Sequence, residues 1–222
     1  MYANRRRVMG ALIAVFATPR LAGCTGKEKP KMTSITVELP GLTIQMSEER
    51  SADRIALSYV VTNTGNQTLF LLDGIHDRMG EKGVLEMRDA PWVVVDGGNA
   101  VLSARYMDPP PGVFVNTLNY PLPTRIAPRE TSRRSFAVAL PLLPVTPYRS
   151  FRSPPRPEIQ MMPMTFELGY FFGRPGIEQM AKTVNTSEGP RPAFDTVSEE
   201  GQSIARLGPF GNVPVVVNAV RA

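Results

Sequence analysis

Apolar and polar residues alternate with a period of two in several segments of this chain. Ile35, Val37 and Leu39 alternate with Thr36 and Glu38, the pattern of a strand with one wet face. Ile55, Leu57, Tyr59 and Val61 alternate with Ala56, Ser58, Val60 and Thr62. The second face is more apolar there, which predicts a central strand. Asn63-Thr64-Gly65-Asn66 has turn chemistry, and Leu69-Phe70-Leu71-Leu72 follows as a buried run. Residues 55 to 72 are therefore expected to form a hairpin.

Further strands are predicted at Trp92-Val93-Val94-Val95, at Val113-Phe114-Val115, and around Phe136, Val138 and Leu140. Phe166, Leu168, Tyr170 and Phe172 share one face, and Val213, Val215, Val217 and Ala219 give a closing strand. The expectation is eight to ten strands with no internal repeat, an all-β sandwich or barrel. Short helices are expected at most, near Ile177 to Val184 and Ser198 to Leu207, with Gly201 weakening the second.

Composition supports this reading. The chain has 22 prolines, and each proline inside a helix costs about 3 kcal/mol. Seven of them fall between Pro141 and Pro163, with Arg149, Arg152, Arg156, Tyr148 and Phe151. Pro154-Pro155-Arg156-Pro157 favours an extended polyproline conformation. Residues 141–163 read as a long Pro-rich insertion between strands, or as a preformed contact for a partner or a lipid surface. The hairpin, and Ile126-Ala127-Pro128-Arg129-Glu130-Thr131 leading into Phe136, resemble the layout of immunoglobulin-like sandwiches. The paired cysteines of antibody domains are absent, so the resemblance concerns architecture and leaves function open.

The first 24 residues carry the other strong signal. Arg5, Arg6 and Arg7 precede an apolar run from Val8 to Ala17, and Leu21-Ala22-Gly23-Cys24 closes it. A basic start, an apolar stretch and small residues make a secretory signal. Pro19 and Arg20 end the run well short of the roughly 20 apolar residues that span a bilayer. The ending resembles the lipobox of bacterial lipoproteins. That resemblance implies that residues 1–23 are removed and that Cys24, the only cysteine, carries the lipid. It also implies a diacylglyceryl group with an amide-linked acyl chain as the membrane contact. Thr25 stands where an aspartate would favour the inner membrane, so the outer membrane is expected. Arg5-Arg6-Arg7-Val8-Met9 resembles the twin-arginine pattern, and Arg20 near the cleavage site suits it. General secretion fits the leader equally well. Residues 24–32 are short and charged, a flexible tether, and 33–222 form the expected sandwich domain.

Removing the leader's four arginines lowers the net charge from +5 to about +1. The basic balance therefore belongs to the signal, and no basic stripe with interleaved aromatics points to nucleic acid. Candidate chemistry is sparse. His76 is the only histidine and sits in Asp73-Gly74-Ile75-His76-Asp77. A zinc site needs more Cys and His ligands than the chain has. A hard cation on Asp73 and Asp77 would lack the spacing of calcium loops. No Gly-x-Ser-x-Gly elbow, Ser-x-x-Lys or phosphate loop is present in the domain, and no cofactor motif. A Ser-His-Asp triad would have to use His76. Glu48-Glu49 and Glu199-Glu200 could serve glycoside hydrolysis only if folding aimed both members of a pair at one site. Phe171 and Arg174 are the candidate partner surface, since Phe171 points away from the Phe172 face. The expected function is a non-catalytic binding or assembly module facing the periplasm, with an envelope protein or glycan as partner. An envelope hydrolase acting on glycan or peptide is the alternative.

Overall fold

The computed structural model describes residues 31–80, 83–114, 119–148, 156–194 and 201–218. The leader, Cys24 and most of the tether lie outside them. The fold is all-β and sandwich-like, with fifteen strands and one short helix among the described residues. Residues 1–30 aside, the chain begins as strand β1 (Lys31–Leu39), which takes Lys31 and Met32 from the expected tether.

One sheet has the order β1, β2 (Leu42–Arg50), β3 (Arg54–Asn63) and β10 (Thr131–Ala139). The alternation read from the sequence sets its faces. Leu42, Ile44, Met46, Ile55, Leu57, Tyr59 and Val61 are at most 2% exposed and point inward. The facing sheet is built on the 16-residue β11 (Pro157–Phe172), flanked by β7 (Trp92–Asp96), β8 (Asn99–Ala104), β4 (Leu69–Gly74) and β9 (Leu122–Ile126). Strands β14 (Ser203–Leu207) and β15 (Asn212–Asn218) pair with the opposite edge of β11. Tyr59, Phe136 and Phe166 meet between the sheets with ring centroids 5.6 to 6.3 Å apart. A smaller sheet of β13 (Gly189–Ala193), β12 (Lys182–Thr186), β6 (Leu85–Met87) and β5 (His76–Met79) closes one flank.

Several expectations need correction. Residues 55 to 72 are no hairpin. β3 pairs with β2 and β10, whereas β4 pairs with β9 and β11, so the turn carries the chain from one sheet to the other. The fully buried Asn63 holds this arch, donating from Nδ2 to the carbonyls of Gln67 and Ile126. Fifteen strands among the described residues replace the eight to ten expected. The second expected helix is β14 over its described part, with Ala205 and Leu207 buried on alternate positions. The first shrinks to α1 (Pro175–Gln179), and the β-branched Thr183 and Val184 join β12. Val113 and Phe114 are not in a strand, and Phe114 is fully exposed. The Pro-rich segment is not wholly an insertion. Its last residues begin β11, and Leu142 and Val145 form bridges to Val215 and Val93.

Candidate functional site

Asp73 and His76 lie three residues apart but reach different places. Asp73 is the penultimate residue of β4 and is 4% exposed, between the sheets. The Tyr59 hydroxyl donates to its Oδ2 at 2.7 Å and the Thr124 hydroxyl donates to its Oδ1 at 2.6 Å. Arg191 Nη1 donates to Thr124 Oγ1 at 3.0 Å and stands 3.9 Å from Asp73 Oδ1. Glu188 binds Arg191 at 2.6 Å and lies 3.5 Å from Arg134. The buried carboxylate is therefore satisfied on both oxygens, as burial requires. Burial, then the Asp73 carboxylate beside it, push the Tyr59 hydroxyl well above the ordinary tyrosine range. Partners from β3, β9, β10 and β13 make this a node that ties three sheets together. The crevice beside it, lined by Tyr59, Asp73, Arg88 and Arg134, has about 10 Å³ of open space, room for one water at most.

Gly74 explains the separation. A Cβ there would sit 2.1 Å from the Leu122 carbonyl oxygen, so only glycine lets β4 and β9 approach so closely. The β4–β9 register shifts between Leu71 and Gly74, and the chain leaves for the small sheet. His76 starts β5, where Nε2 donates to the Tyr120 carbonyl at 3.1 Å and Asn119 Nδ2 donates to the His76 carbonyl at 3.3 Å. Nδ1 is buried without a partner. Burial lowers the His76 pKa, although the Tyr120 hydrogen bond and the Asp77 charge pull the other way. Asp77 is exposed and accepts from Arg88 Nη1 at 3.1 Å. Among the described residues, no group of three or more His, Cys, Asp or Glu side chains could hold a metal ion.

The remaining candidates are placed as follows. Glu48 points inward, 2% exposed, and accepts from Arg50 Nε at 2.8 Å, whereas Glu49 is exposed on the other face. The two carboxylates do not converge, as strand geometry dictates. Glu199 and Glu200 lie outside the described residues. Phe171 is half-buried, stacked on Phe70 at 5.1 Å and edge-on to Phe194 at 5.4 Å, and Arg174 is exposed.

Comparison with family models, curated proteins and solved structures finds no match. The residues alone carry the reading.

The sequence reading missed one surface. Ser34, Ser47, Ser58 and Ser135 stand in register across β1, β2, β3 and β10, all on the outward face. Ser47 and Ser58 are hydrogen-bonded at 2.7 Å. The next row is Met32, Glu49, Ala56 and Ala137. The serines and alanines leave an open depression of about 430 Å³ on the sheet, which Met32 and Glu49 also line. Each serine reads only as a wet-face residue in sequence. The row exists because the registers of three strand pairs coincide.

Proposed function

We propose that this chain is a lipid-anchored protein of the bacterial cell envelope, attached through Cys24 and facing the periplasm from the outer membrane. Its sandwich works by binding or assembly. The observation that carries the reading is Leu21-Ala22-Gly23-Cys24, closing an arginine-led apolar leader shortly before the first strand at Lys31. The buried carboxylates Asp73, Glu48 and Glu167 are engaged in structure, which supports the non-catalytic part. Asp73 serves the three-sheet node, and Glu167 is held by Arg105 at 2.9 Å and Arg206 at 2.8 Å. The depression over the serine row is the surface where an envelope protein or glycan would be met. A cleft holding His76, Asp73, Asp77 and a serine together would favour the hydrolase alternative, and the arrangement described above does not bring them together.

Cys24→Ser tests the anchor. Cells given radiolabelled fatty acid are expected to label the wild-type chain, which sediments with membranes after its leader is removed. The variant takes no label and is found in the soluble fraction or keeps its leader. Equal sedimentation of a processed, unlabelled variant would overturn the anchor.

A further inference from the structure

The first half of β11 carries apolar side chains that the described residues leave exposed. Ile159 is 61% exposed and Met161 is 60% exposed, while Met162 between the sheets is buried. In register beside them on β15 stand Val216 and Pro214. The next segment is held by hydrogen bonds from Leu142 N to the Pro214 carbonyl and from Val216 N to the Leu142 carbonyl. Leu142 is buried, so Leu143 turns to the outer side, where it is 47% exposed. Ile159, Met161 and Leu143 thus form one outward apolar surface around the half-buried Pro214, with Val216 buried at 9% exposure between them. Exposed apolar side chains clustered on one face favour contact with an apolar phase.

The position of this surface says which. Lys31 pairs with Arg50, whose Nη1 donates to the Asn212 carbonyl at 2.6 Å, and Asn212 pairs with Pro163. The chain therefore enters the domain beside the strand pair that bears the patch. Met32, 70% exposed, lies at the same end. From Cys24 to Lys31 the chain spans about 25 Å at most when fully extended. An acylated Cys24 would hold this end against the bilayer. Exposed Arg54 and Arg156 each have an exposed acid close by in the chain, Asp53 and Glu158, so on the domain itself attraction rests on the apolar groups. Three part-exposed aliphatic side chains fall well short of the roughly 800 Å² per partner that a stable protein interface buries. They are enough to dip into a headgroup layer already within reach.

We propose that Leu143, Ile159 and Met161 insert into the leaflet that holds the lipid on Cys24, fixing the domain's orientation on the membrane. The proposal rests on the lipid-anchor reading, and its test separates the two. Cys24 is the only cysteine, so in the acylated chain an introduced cysteine is the sole thiol. Met161→Cys and, at the opposite end of the sandwich, Asn66→Cys are labelled with a nitrobenzoxadiazole dye. Both chains are reconstituted into vesicles of phosphatidylethanolamine and phosphatidylglycerol. Dithionite is expected to bleach the dye at 161 several-fold more slowly than at 66. Adding Leu143→Asp and Ile159→Asp should abolish the difference while the chain still sediments with the vesicles. Equal bleaching at both positions in acylated, vesicle-bound protein overturns the insertion and leaves the anchor standing. A chain that takes no acyl group overturns both. Slow bleaching at 161 in vesicle-free Cys24→Ser protein with a dimeric mass overturns the membrane assignment in favour of a second copy.

Discussion

Asp73 and His76 share one short polar stretch, yet one is a structural keystone and the other a corner residue. Asp73 has hydrogen bonds on both carboxylate oxygens and stands where three sheets meet. His76 lies past the Gly74 irregularity, on a different sheet, with one ring nitrogen bonded and the other buried without a partner. The difference teaches that neighbouring chemistry along a β chain converges only if the backbone keeps both residues on one face of one sheet. Here the chain changes sheets between them.

Removing the keystone should be the most damaging change. Asp73→Ala leaves the Tyr59 hydroxyl and part of the Arg191 charge unmatched in a largely buried place. A loss of about 3 kcal/mol in urea unfolding is expected, the low end for breaking a buried pair, since Arg191 keeps Glu188. Asp73→Asn keeps the shape and should lose less. If Asp73→Ala unfolds at the wild-type midpoint, the node contributes nothing and the comparison collapses. Gly74→Ala should come next. Its Cβ meets the Leu122 carbonyl at 2.1 Å, a clash with backbone that cannot simply rotate away. Overpacking of that kind costs about 2 kcal/mol. A melting curve unchanged by Gly74→Ala would show that the β4–β9 approach is not tight.

Strand faces were legible in the sequence because burial has a period of two. Ile55 to Val61 and Phe166 to Tyr170 were placed on the core side from alternation alone, and β3 proved central as its apolar second face suggested. Pairing was not legible. A polar turn such as Asn63-Thr64-Gly65-Asn66 reverses the chain equally well within a sheet or between sheets. What decides is the buried Asn63 amide reaching the Ile126 carbonyl, 63 residues away. The candidate site failed for the same reason. The partners of Asp73 come from Tyr59, Thr124 and Arg191, none of them near it in sequence, and the serine row needs three registers at once.

The smallest effect sharpens the comparison through pH. His76→Ala removes the hydrogen bond to the Tyr120 carbonyl, a loss of about 1 kcal/mol at neutral pH. With Nε2 donating to that carbonyl, Nδ1 is the unprotonated nitrogen, and a proton added there would be buried without an acceptor. Burial accordingly holds the folded pKa below the ordinary histidine value of about 6.5. On acidification the unfolded chain binds this proton first, and stability rises with pH wherever the unfolded state binds more protons. The neutral histidine's contribution is therefore complete above the unfolded pKa. It declines as pH falls below that value toward the folded pKa. No other histidine shares the window, so the wild type should lose stability as pH falls below about 6.5 while His76→Ala stays flatter. Urea midpoints for the two proteins across that range make the measurement. Parallel curves would mean that His76 titrates alike folded and unfolded, and that the corner it occupies is as wet as a loop.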